Sequence, residues 1–158
     1  SGRAGPGAGR PARVYWRADR VFSISLPDRR YEHVAQLFAS ALERLSDQSV
    51  PAPLQEAARE LGEQLGRTGR RGAPAKRLTT ALKAGGYEPV PDKTGAIRLR
   101  NCPFDALADA HRPLMCGTNL AIAEGITRGS GATTVQPMLD SQPGRCCVVF
   151  VPDPRTPE

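Results

Sequence analysis

The strongest constraint on the fold of this chain is a change of period along its length. Between 28 and 46, Tyr31, Val34, Ala35, Phe38, Ala41, Leu42 and Leu45 recur at helical spacing and form one apolar stripe. A second helix is expected after Pro53, with Leu54, Ala57, Ala58, Leu61 and Leu65 on one face and its end before Gly66. A shorter third helix spans 74–84 and stops at Gly85-Gly86. From there the pattern shifts. The segment 87–100 reads as two strands around a turn at Asp92-Lys93-Thr94-Gly95, the second strand placing Ile97 and Leu99 on one face. Pro103 starts a short helix through Phe104, Leu107 and Ala108, and a longer one follows Pro113 over 114–128, broken by Gly129-Ser130-Gly131. A closing hairpin is expected from 133–139 and 145–151. Two strands, 13–16 and 21–26, precede the first helix and end at Pro27-Asp28. Helices and strands in such blocks predict an α+β fold, a largely antiparallel sheet packed with helices.

A chain of 158 residues is long enough for one domain with a real core. We expect a basic linker over 1–20, the domain over 21–151 and a frayed tail over 152–158. With 24% charged and 39% hydrophobic residues, and no apolar run of spanning length, the composition is that of a soluble protein. The first twenty residues carry arginines but no apolar signal core, so a cytoplasmic location is expected. The net charge of +6 is clustered: Arg3, Arg10, Arg13, Arg17 and Arg20 form one block, and Arg67, Arg70, Arg71, Lys76 and Arg77 another. Such blocks either contact phosphate or are simply solvated.

The four cysteines, Cys102, Cys116, Cys146 and Cys147, all fall in the last third. In a reducing compartment they are expected free, catalytic or metal-bound rather than paired as disulfides. No pair has the close C-x2-C spacing of common zinc knuckles. Cys102 sits where a strand enters a helix, near backbone N–H groups that favour a thiolate. Cys116 lies near the start of the next helix, beside His111. Cys146 and Cys147, read as strand residues, point to opposite faces, so at most one of them shares a site with Cys102 and Cys116. The competing reading is ordinary core, since free cysteine is among the most buried residue types and Cys116 aligns with Leu120 and Ala123. His111 reads equally as a boundary residue. With two histidines, no phosphate-binding glycine loop and no nucleophile set, an enzyme is not expected.

Taken together, Arg100-Asn101-Cys102-Pro103-Phe104, His111, Cys116-Gly117-x-Asn119, Glu124-Gly125 and Pro143-Gly144-Arg145-Cys146-Cys147 resemble the C-terminal domain of ArsR-like winged-helix regulators. The iron-sulfur repressors of the Suf operon belong to that group. Gly9-Arg10-Pro11-Ala12-Arg13-Val14-Tyr15 is similar to the wing of its DNA-binding domain, and 22–45 to the strand and helix that follow. The resemblance implies a redox-sensing or metal-sensing domain of a transcriptional repressor. DNA would be bound through a helix-turn-helix that this chain lacks, with Arg10 and Arg13 as phosphate contacts. It also implies a homodimer, for which the first long helix is a candidate surface, and no membrane partner. The implied cofactor is an iron–sulfur cluster, with zinc or no metal as alternatives, and the implied ligands are Cys102, Cys116, Cys146, Cys147 and His111. The Suf repressors carry a further cysteine where this chain reads Arg128-Gly129-Ser130-Gly131-Ala132. Ser130 is a poor iron ligand, which leaves the fourth position to His111, the other terminal cysteine or an outside ligand. The fold of this group also resembles the bacteriochlorophyll vinyl-reductase-associated domain, and hence a second reading: a small-molecule sensor whose cysteines are structural or zinc-bound.

Overall fold

The computed structural model describes residues 13–15, 31–45, 50–68, 72–142 and 144–155. The chain divides into two compact units, Ser1–Arg30 and Tyr31–Glu158. In the first, residues 13–15 have no regular secondary structure, where the start of a strand is expected. The expected strand at 21–26 and the expected boundary at 20/21 lie outside the described residues.

The second unit contains α1 (Tyr31–Leu45), α2 (Ala52–Thr68), α3 (Pro74–Ala84), β1 (Pro89–Pro91), β2 (Ile97–Leu99), α4 (Asp105–Ala108), α5 (Arg112–Ser130), β3 (Val135–Leu139) and β4 (Val148–Pro152). The strands form one antiparallel sheet in the order β1-β2-β4-β3, packed with helices, as the α+β expectation requires. The β1–β2 turn is made by Asp92, whose carboxylate accepts from the backbone N–H groups of Thr94 at 2.8 Å and Ala96 at 3.1 Å. Those bonds satisfy two donors that a tight turn would otherwise strand. Prolines occupy the two edge strands, Pro89 and Pro91 in β1 and Pro137 in β3, where a missing N–H costs least and discourages further pairing.

The core lies between α3, α5 and the sheet. Leu78, Leu82, Leu99, Ile126, Val148 and Phe150 are among its fully buried side chains. In α3, Leu78, Ala81 and Leu82 fall on one face by helical spacing, and Pro74 sits at the first turn, where its missing N–H costs nothing. Each such leucine contributes about 1.5–3 kcal/mol on burial.

Helices α2 and α5 approach almost backbone to backbone. A Cβ placed on Gly62 would collide with the Ile122 carbonyl, on Gly125 with the Arg59 carbonyl, and on Gly129 with the Glu63 carbonyl. The spacings Gly62-x3-Gly66 and Gly125-x3-Gly129 put each pair on one helix face. This corrects two expected boundaries. Helix α2 runs through Gly66 to Thr68, and α5 runs through Gly129 and Ser130 to a left-handed Gly131 at φ 68°. A mid-helix glycine costs about 1 kcal/mol against alanine; here it permits the close crossing. Ion pairs flank the seam: Arg59–Glu124 at 2.7 Å, and Glu63 with Arg67 and Arg128, each at 2.7 Å.

Helix α1 is attached more lightly. Ala39 is its buried residue, whereas Val34, Leu37, Phe38 and Leu45 are exposed. Among the described residues no helix is long and apolar enough to cross a membrane.

Candidate metal centre

The site forms where three stretches of chain meet. Cys102 follows β2, Cys116 lies in the second turn of α5, and Cys146 and Cys147 immediately precede β4. The terminal pair therefore does not lie on the strand, and the expectation that the two point to opposite faces is overturned. Two backbone bonds hold the pair out of the regular ladder: the Cys146 N–H donates to the Leu99 carbonyl at 3.1 Å, and the Cys147 carbonyl accepts from Asp140 at 2.7 Å.

The four thiols are linked in a chain. Cys146 hydrogen-bonds both Cys102 and Cys147, and Cys147 in turn bonds Cys116. Thus both members of the terminal pair join Cys102 and Cys116, and the other terminal cysteine occupies the place left open for a fourth ligand. Cys146 and Cys147 are buried and Cys102 and Cys116 half-buried; none is in a disulfide.

Donors converge on Cys146. The Cys102 thiol contributes most to holding it well below the ordinary thiol range, followed by the Cys147 thiol, with the Val148 N–H and the Asn119 amide adding and burial opposing. Cys102 and Cys147 are pushed up instead, chiefly by their hydrogen bonds to Cys146 and then by burial. One sulfur carries the charge and its neighbours keep their protons. Cys102 itself accepts from the Phe104 N–H. In Cys102-Pro103-Phe104 and Cys146-Cys147-Val148 alike, a backbone N–H two residues on turns back to the sulfur.

Three residues not singled out individually as functional in the sequence complete the site. Asn119, 1% exposed, lies one turn after Cys116 on the same face of α5. It donates to the Cys146 sulfur at 3.1 Å and to that of Cys102 at 4.0 Å. Tyr87 donates its hydroxyl to the Asn119 carbonyl oxygen at 2.6 Å and meets Phe104 edge-on, with ring centroids 6.4 Å apart. Burial, and then the charge on Cys146, push the Tyr87 hydroxyl up, so it remains a donor. Asn101 fixes the approach to Cys102 by accepting from the Glu88 N–H at 2.6 Å and donating to the Gly86 carbonyl at 2.7 Å. The Cys-x2-Asn spacing was the one legible signal, since it places a thiol and an amide on one helix face.

The remaining expected site residues lie elsewhere. His111, just before α5, places Nδ1 2.8 Å from the Glu43 carboxylate of α1. Ser130 is buried and donates to the Thr127 carbonyl at 3.0 Å. Arg13 is exposed, and Arg10 lies outside the described residues. Arg67 of the second basic block is ion-paired with Glu63.

Sulfur-only donor sets suit iron–sulfur clusters and zinc. Zinc–sulfur bonds of about 2.3 Å put sulfurs about 3.8 Å apart along a tetrahedral edge, within the span of an S–H···S contact. The donor chemistry therefore fits such a centre. Among the described residues no three or more His, Cys, Asp or Glu side chains stand as a finished metal site, so binding requires the thiols to rotate about their Cα–Cβ bonds. Comparison with family models, curated proteins and solved structures finds no match to this chain.

Proposed function

We propose that this is the sensor domain of a cytoplasmic DNA-binding transcriptional repressor, and that Cys102, Cys116, Cys146 and Cys147 together hold its sensing centre, an iron–sulfur cluster. The observation that carries the reading is the convergence of four thiols from three stretches of chain beneath a buried amide. The motif resemblance supports the DNA target and the regulatory role. When bound, the cluster would supply an oxidation-sensitive tie between the three stretches.

The chain's own residues account for the rest. Cys146 presents a thiolate ready to bind, while Cys102 and Cys147 must release protons, so affinity rises with pH up to the thiol range. Four sulfurs that return to S–H···S contacts loosen the lead into α4, the start of α5 and the root of β4. His111 carries any shift of α5 to α1 through Glu43. That is a local sulfur event with a helical readout, the usual form of a redox switch.

Anaerobic purification with iron, sulfide and zinc analysis tests the reading on the wild type and on Cys102→Ser. Iron with sulfide and a broad visible band, both lost in the variant, is the expected result. Zinc alone would recast the centre as structural, and a well-folded protein with neither metal would refute the reading.

A further inference from the structure

A metal centre with four thiolates is a charge problem before it is a coordination problem. Four thiolates around a divalent ion leave two net negative charges, and a buried charge is costly unless hydrogen bonds meet it. The donors that reach these sulfurs include the backbone N–H groups of Phe104 and Val148 and the Asn119 side chain. The first two depend on backbone geometry. Asn119 depends on its side chain.

Its orientation follows from its partner. The Tyr87 hydroxyl donates to the Asn119 carbonyl oxygen, which turns the amide N–H toward Cys146. Both residues are buried, at 4% and 1% exposure, so water does not compete for either group.

We propose that Asn119, with its amide fixed by Tyr87, is the positioning residue that draws negative charge from the Cys146 sulfur and so sets how tightly the centre holds metal. The inference rests on the reading of the four cysteines as a metal centre. An oriented amide does this without adding a charge of its own, and metal sites commonly depend on such outer partners.

The full chain is titrated anaerobically with cobalt(II), then competed with zinc(II), as wild type, Asn119→Leu, Asn119→Asp and Tyr87→Phe. The wild type should show sulfur-to-cobalt charge-transfer bands that Cys146→Ser loses. Asn119→Leu should weaken zinc binding by about 10–100-fold and move the band to longer wavelength, because a sulfur stripped of its donor is more electron-rich. Asn119→Asp should weaken binding further, and Tyr87→Phe should act in the same direction but less. Should the Asn119 variants fail to fold, the wild type loaded with ¹¹³Cd decides: the Asn119 amide proton should show scalar coupling to cadmium across the N–H···S bond. No charge-transfer bands in the wild type would overturn the metal reading and this inference with it. Normal bands with affinities within twofold in the variants, or no coupling to cadmium, would overturn this inference alone.

Discussion

The two ends of α5 are both tightly packed, for opposite reasons. At its C-terminal end, Gly125 and Gly129 remove side chains so that α2 can press its backbone against the helix. At its N-terminal end, Cys116 and Asn119 bring polarisable and polar groups into a buried cluster with Cys146 and Cys147. The first contact is dispersion between backbones and tolerates no added atom. The second is a set of directional bonds to sulfur and responds to protons and metal. One helix thus joins a part of the fold that should ignore its chemical surroundings to a part that should report them.

The largest expected effect probes the glycine end. Gly125→Leu should destabilise the protein by about 3 kcal/mol or more, since the added side chain meets the Arg59 carbonyl rather than a movable group. Urea unfolding measures this, and a loss below 1 kcal/mol would mean that the seam yields and the contrast between the two ends is false. The effect should be the same at pH 6 and pH 9.

The thiol end should behave differently. Cys102 and Cys147 are raised in the folded protein, so they remain protonated after the unfolded chain, with ordinary thiol values near 8.5, begins to ionise. Their contribution is complete below that value and is lost as pH rises through it. Cys146, depressed when folded, contributes fully above it and loses that contribution as pH falls. Metal-free protein should therefore lose stability between pH 8 and 10, followed as a falling urea midpoint, and Cys102→Ser should flatten the decline. A flat wild-type profile would show that the thiols do not share protons as described.

The smallest effect belongs to the charges beside the seam. Arg59 and Glu124 are 2.7 Å apart but each is 36% exposed. Glu124→Gln should cost less than about 1 kcal/mol. A larger loss would assign part of the α2–α5 contact to electrostatics and blur the comparison.

The same contrast explains what was legible in the sequence. Local chemistry was: the Asp92–Gly95 turn, the bounds of α3 and the order of helices and strands all follow from residues a few positions apart. The helix ends at Gly66 and Gly129 were misread because glycine ordinarily stops a helix, and only the opposing helix reveals that these serve packing. The start of β4 was misread for a similar reason. Whether 145–147 joins the strand depends on the Leu99 and Asp140 backbones, which are distant in sequence or across a loop. That three-residue difference decides whether Cys146 and Cys147 diverge or share a site. Tyr87 gave no sequence signal, because its partner Asn119 is 32 residues away.

The position of β4 in the sheet also bears on the order in which the chain can fold. Its neighbour β3 is joined to it by a hairpin, but β2 lies far upstream, and β4 must settle between them. Cys146 and Cys147 arrive with β4, whereas Cys102 arrives with β2. Closure of a loop that long is slow compared with hairpin formation. The complete set of sulfurs therefore cannot assemble until the two hairpins have docked, so an emerging chain cannot be charged with metal at all four positions before its sheet is closed.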